Sequence, residues 1–154
     1  MKLNLGAGST EIEGFTPVDR KLGSEVYPLA YADESAEEIR ASHVLEHFSH
    51  RETYTVLVDW VRVLKPGGLL KVAVPDVEKA LEQSDHPHFE LWLMGGQTDM
   101  NDFHGALFHT GKLTLLLKMA GLEDIQPWTS EIQDCAALPV SLNLCGRKPE
   151  RKAS

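Results

Sequence analysis

Cations are scarce in this chain, cysteines number two, and long apolar runs are missing; each scarcity removes a class of function. The 154 residues carry 15 Lys and Arg against 23 Asp and Glu, a formal charge of −8. Binding to a phosphate backbone needs a cationic face, so nucleic acid is not an expected partner. The one basic cluster, Arg147, Lys148, Arg151 and Lys152, reads as a solvated terminus. Cys135 and Cys145 lack ligand or disulfide-framework spacing, and no signal peptide is evident, so a reduced cytoplasmic protein is expected. No stretch approaches the roughly 18 to 20 apolar residues of a membrane span. Repeats, low-complexity tracts and Ser/Gly/Pro linkers are also absent, which predicts one domain over residues 1–148 and a loose tail over 149–154.

What is present alternates between strand and helix signals. Lys2–Leu5 predicts a short strand running into Gly6-Ala7-Gly8, and Phe15–Val18 a second one ending at Asp19. Glu38–Ser42 predicts a third. Ser49 and Glu52 have the spacing of a capping box, and behind them Tyr54, Leu57, Val58 and Val61 recur at the helical period. That helix must stop at Lys65-Pro66-Gly67-Gly68. The nearly all-apolar run Leu69–Val74 predicts a central strand covered on both faces. Leu113, Leu116, Leu117 and Ala120 mark a second helix closed by Gly121, and Ile125–Trp128 and Val140–Cys145 read as late strands. The alternation implies a parallel α/β sheet with an antiparallel strand at its end.

Ligands of open α/β sheets bind at the carboxyl ends of the strands, which directs attention to the Gly6-Ala7-Gly8 turn. Asp19, ending the next strand, is placed to accept hydrogen bonds from ribose hydroxyls. A dinucleotide would need a third glycine and a helix N-terminus for its pyrophosphate. Glu11 stands where that glycine should be, Ser9 to Gly14 are too few for a crossover helix, and Glu11 and Glu13 would repel phosphates. A nucleoside cofactor without phosphates, such as S-adenosylmethionine, meets none of these objections.

The wider wording is more specific. LNLGAGS, Val18-Asp19, ADESAEEIRASHVLEHF and WVRVLKPGGLLKVAVPD resemble the class I S-adenosylmethionine-dependent methyltransferases, particularly the small type-11-like group. That resemblance implies a Rossmann-like, mostly parallel sheet of seven strands in the order 3-2-1-4-5-7-6, with helices on both faces. It also implies that Leu5, Gly6, Ala7 and Gly8 line the methionine and ribose end of the cofactor, that Asp19 holds the ribose, and that Arg20 and Leu29 flank the adenine. Ser42 and His43 would contact the cofactor near its reactive end. The chain departs from the family in having Thr10 at the usual third glycine, a shortened first crossover and no helices ahead of the first motif strand. An uncapped pocket of this kind is compatible with a homodimer.

His43-Val44-Leu45-Glu46-His47 fits the H-x-x-E-H zinc pattern, but that pattern needs a continuous helix. Here the first histidine follows a strand and the predicted helix begins after the second, so a cofactor loop is expected and no metal. The polar stretch from His86 to His109 is read as a substrate lid or an ordinary connection. His104, His43 and His47 are the candidate catalytic residues, since imidazole can take a proton near neutral pH. The expected activity is methyl transfer from S-adenosylmethionine to a small-molecule or glycan-type acceptor. A non-catalytic S-adenosylmethionine-binding module that acts with a partner protein is the alternative.

Overall fold

The computed structural model describes residues 1–153; Ser154, the last residue of the expected tail, lies outside the described residues. The chain order is β1 (Lys2–Leu5), β2 (Phe15–Val18), β3 (Ala36–Ser42), α1 (Thr53–Val63), β4 (Leu64–Pro75), α2 (Val77–Leu81), α3 (Phe89–Met94), α4 (Thr110–Met119), β5 (Glu123–Pro127) and β6 (Ser141–Arg147). The strands form one sheet in the order β2-β1-β3-β4-β6-β5. The first four are parallel, and β6 runs antiparallel to both β4 and β5. The Rossmann-like α/β class is therefore the one expected, and the antiparallel end is present. None of the helices among the described residues is long and apolar enough to cross a membrane.

The strand count differs from the expected seven. Set against the order 3-2-1-4-5-7-6, the edge strand 3 is the one missing. The segment that would supply it follows β2 and is held against α1 by side-chain bonds. Trp60 Nε1 donates to Val26 O at 2.8 Å, Asp59 Oδ2 accepts from Leu29 N at 2.8 Å, and Arg62 reaches Leu29 O at 3.0 Å and Tyr31 O at 2.9 Å. With its backbone groups engaged there, the segment cannot also extend the sheet. Pro17, which has no N–H to give a ladder, suits β2 to the edge position it then occupies.

The core lies on one side. Side chains alternate along a strand, so Leu3 and Leu5, Ile39 and Ala41, Leu70, Val72 and Val74, and Leu142 and Leu144 share a face. They pack with Val56, Leu57 and Trp60 of α1 and Leu113 and Leu117 of α4 in a single cluster. The opposite face carries Lys2, Asn4, Glu38, Arg40 and Lys71. Glu38 bridges Lys2 at 3.1 Å and Lys71 at 2.8 Å. Among the described residues this face is packed by the 3₁₀ turn Cys135–Ala137 rather than by α1 or α4, which differs from the expectation of helices on both. The connection from β5 to β6 crosses it, with the Trp128 ring against Arg40 and Lys71 at 5.4 and 5.8 Å.

The capping box also forms differently. Ser49 makes a tight turn, its carbonyl accepting from Glu52 N at 2.8 Å, and α1 begins at Thr53 with no side-chain cap. Within that turn His50 N donates to Gly105 O at 2.9 Å, which ties the start of α1 to the chain after His104.

Candidate functional site

The turn after β1 is shaped by Gly6. Its φ of +65° is one that side chains other than glycine rarely adopt, and a Cβ there would sit 2.3 Å from Val44 Cγ2. Gly6→Ala should therefore cost about 2 to 3 kcal/mol of stability, from left-handed strain plus the clash. A urea melt checks this, and an unchanged midpoint would contradict it. Past Gly6 the chain folds back at once, with Thr10 N donating to Ala7 O at 2.7 Å, so no crossover helix starts.

Asp19 joins that turn to the end of β2. Its Oδ2 accepts the Gly8 N–H at 2.8 Å and its Oδ1 accepts the Lys21 N–H at 2.8 Å, capping the single helical turn Arg20–Leu22. Each carboxylate oxygen keeps a second lone pair. The neighbouring Arg20 is exposed and binds Glu25 at 3.2 Å and the side chain of Asn101. That contact ties the mouth of the cleft to the His86–His109 stretch. Leu29 is not brought to the site: it is 4% exposed, within the core cluster.

Beside the turn lies an open cavity of about 90 Å³ lined by Asn4, Gly6, Ala7, Thr10, Arg40, Ser42, Asp134 and Cys135. Leu5 is fully buried beneath it. The buried Arg40 pairs with Asp134 from the β5–β6 connection and reaches Ser130 Oγ at 3.3 Å and Asn4 Oδ1 at 3.4 Å. This strap forms the wall that a crossover helix would otherwise supply. Arg40 and Asp134 escaped the sequence reading, although charged residues alternating with Ile39 and Ala41 in β3 already mark a polar sheet face.

At the end of β3 the structure assembles the histidines. His43 has φ +56°, and Leu45–His47 form a single 3₁₀ turn, so the pattern lies in a loop as expected. Gly105 N donates to Glu46 O at 2.8 Å and thereby seats His104 beside this loop. The His47 and His104 rings meet edge to face at 4.9 Å. His43 Nε2 contacts Ser141 Oγ at 2.9 Å, its Nδ1 is 3.4 Å from Glu46 Oε1, and His104 Nδ1 is 3.1 Å from Trp92 O. Burial lowers the His43 pKa to about 4 and also lowers that of His104, next to the charge of His47. Burial raises Glu46, which is 1% exposed, to about 8. All three candidate catalytic histidines thus converge, and Glu46 of the H-x-x-E-H pattern is at their centre.

The stretch from His86 to His109 contains α3 and a closed turn in which Thr98 Oγ1 donates to Asp102 Oδ2 at 2.8 Å and Gln97 N to Asp102 O at 2.9 Å. It exposes Met100 and Phe103 beside His104 in sequence.

Residues 17–72 match a family model described as a methyltransferase domain, of the type-11 group. None of the curated proteins matches. The solved structures that resemble the chain include an S-adenosylmethionine-dependent methyltransferase of Thermotoga maritima, described as a possible histamine N-methyltransferase. It is 18% identical, with a TM-score of 0.64 over 96% of this chain and 81% of that one. A Haloferax volcanii methyltransferase solved with the Trm112 methyltransferase activator is 14% identical, with a TM-score of 0.64 over 97% and 82%. The Burkholderia thailandensis 1,6-didemethyltoxoflavin-N1-methyltransferase, solved with its substrate and S-adenosylhomocysteine, is 17% identical, with a TM-score of 0.63 over 97% and 71%. At these identities what is shared is the fold. The family match runs from β2 into β4, across Asp19, Ser42 and His43. The chain therefore has the fold of the class I S-adenosylmethionine-dependent methyltransferases, and its residues 17–72 match the type-11 methyltransferase-domain model.

Proposed function

We propose that this domain binds S-adenosylmethionine at the Gly6–Gly8 turn and transfers its methyl group to a small-molecule acceptor, glycan-type molecules included, held near His104. The observation that carries the reading is the bond from Gly8 N to Asp19 Oδ2, because it sets the carboxylate against the glycine turn with lone pairs to spare for two ribose hydroxyls. The surroundings fit the rest of the cofactor. Ser42 lines the cavity, and Arg40 and Asp134 set opposite charges beside it, matching an amino-acid end. Bound there, the cofactor supplies a methyl carbon activated by a positive sulfur.

The residues then have simple tasks. Asp19 fixes the sugar, and Gly6 and Gly8 allow close backbone approach. Arg20 and Asn101 hold the lid stretch over the mouth, limiting water. His43 and His104, kept neutral by burial, offer nitrogen lone pairs at the acceptor end. The main requirement is positioning the acceptor about 3 to 3.5 Å from the methyl carbon.

A second reading has support in one observation, the charged group of Lys2, Glu38 and Lys71 on the sheet face away from α1 and α4. A domain docked there on a partner protein would bind the cofactor without turnover of its own. Thermal melting with S-adenosylmethionine and S-adenosylhomocysteine tests cofactor binding. At about 100 times Kd the gain is about 2.7 kcal/mol, a rise of roughly 5 to 10 °C for a chain of this size. No rise with either ligand would end both readings. A rise together with S-adenosylhomocysteine formation on adding acceptor mixtures supports the enzyme, whereas a rise with no turnover favours the partnered module.

A further inference from the structure

From the side chains gathered after β3, we infer that Glu46, His47 and His104 form a binding site for one divalent transition-metal ion of the zinc class. Each of the three offers a ligand atom, and these atoms lie within 4.8 Å of one another. The inference does not require methyl transfer, although it engages His104, which the proposed function sets at the acceptor end, and it reverses the sequence-based expectation of no metal, which rested on the lack of a continuous helix. His104, from 57 residues downstream, is the third ligand.

A second, independent observation points to a ligand. Both carboxylate oxygens of Glu46 and Nδ1 of His47 are buried with no hydrogen-bond partner. Buried polar atoms are almost always partnered, because leaving one bare costs free energy. Three orphaned acceptor-capable atoms in one cluster are what a missing cation would leave. The supporting bonds agree as well. His104 turns Nδ1 to Trp92 O at 3.1 Å, which frees Nε2; ligating histidines characteristically give their other nitrogen to a carbonyl. The Gly105 N to Glu46 O bond fixes the two chain segments against each other.

Two imidazoles and one carboxylate suit a borderline ion, and three protein ligands leave a fourth position open. Zinc bonds of about 2.0 to 2.2 Å place tetrahedral ligands roughly 3.3 Å apart, so modest side-chain rotation closes the site. His43 Nδ1, 3.4 Å from Glu46 Oε1, sits as a positioning residue against the carboxylate.

The test uses the full chain stripped with a chelator and titrated with Zn²⁺ by calorimetry, and with Co²⁺ followed by visible absorption. One equivalent should bind, with the intense absorption of low-coordinate Co²⁺. Glu46→Gln and His104→Gln should each weaken Zn²⁺ binding by about 100-fold or more, while His88→Ala, on the exposed approach to α3, should leave it unchanged. His104→Gln, at a half-buried position, keeps the test decisive if the Glu46 variant folds poorly. Failure to bind one equivalent, or equal binding by the wild type and His104→Gln, would overturn the assignment. Neither outcome depends on whether S-adenosylmethionine binds.

Discussion

Asp19→Ala is expected to weaken S-adenosylmethionine and S-adenosylhomocysteine binding by about 100-fold or more. The carboxylate does two things at once. Its oxygens accept the Gly8 and Lys21 N–H groups, each at 2.8 Å, and so hold the glycine turn against the end of β2. The remaining lone pairs are those proposed to receive the ribose hydroxyls. A hydrogen bond to a charged group is worth about 1.5 to 3 kcal/mol, and 100-fold corresponds to about 2.7 kcal/mol, so losing two sugar contacts reaches that figure before any loosening of the turn is counted. Loss of the cap on Arg20–Leu22 should cost only about 1 kcal/mol of stability. The variant should therefore stay folded while failing to bind. Asp19→Asn, which keeps one acceptor oxygen, should fall between the two. Calorimetry on both variants checks the order, and wild-type affinity in Asp19→Ala would contradict it.

The second large effect is in the pH dependence of stability in metal-free protein. Glu46 holds its proton in the folded state up to about pH 8, whereas its ordinary pKa is 4.5. Between those values the folded protein carries a proton that the unfolded chain has lost, so stability falls by about 1.4 kcal/mol per pH unit. His43 acts in the opposite sense. Its pKa drops from 6.5 to about 4, so the unfolded chain binds the extra proton and stability rises with pH across that window; His104, also lowered, adds to this. Between pH 4.5 and 6.5 the Glu46 and His43 effects oppose each other, and His104 tilts the sum toward a rise. Above pH 6.5 only the Glu46 effect remains, and about 2 kcal/mol should be lost by pH 8. The other groups near this carboxyl are His47, Ser141 through His43, and the Cys135 thiol, which burial pushes up. Glu46→Gln should abolish the decline above pH 6.5 and leave a rise between pH 4 and 6.5. Denaturant midpoints measured across this range decide the matter; an alkaline decline that persists in Glu46→Gln would place its source elsewhere.

The sequence carried local features well. β1 and β2 have the expected ends because a short apolar run is stopped in each case by turn chemistry, Gly6 in one and Asp19 in the other. Gly121, with φ +98°, closes α4 as its position suggested. The polar face of the sheet is legible in the sequence as well. Lys71 interrupts the apolar run of β4, and it alternates with Leu70 and Val72 just as Arg40 alternates with Ile39 and Ala41. That is a period of two, the mark of a strand with one polar face. The short α2 and α3 carry too few turns for a helical period to emerge.

The candidate site divides along the same line. The Gly6–Gly8 turn and Asp19 are 11 residues apart and motif-bound, so they could be read directly. The Arg40–Asp134 pair spans 94 positions, and His104 meets Glu46 only because Gly105 pairs with the loop after β3. Such contacts are set by topology, to which no local pattern points. Leu29 failed for a related reason. A leucine between Pro28 and Ala30 has no periodicity to show which side it faces, and the core claimed it.

The most direct measurement is a crystal structure of this chain grown with S-adenosylhomocysteine. The account predicts the product lying over Gly6 to Gly8, with both ribose hydroxyls within hydrogen-bond distance of the residue-19 carboxylate. An empty cleft at saturating ligand, or a sugar bound away from that side chain, would contradict it.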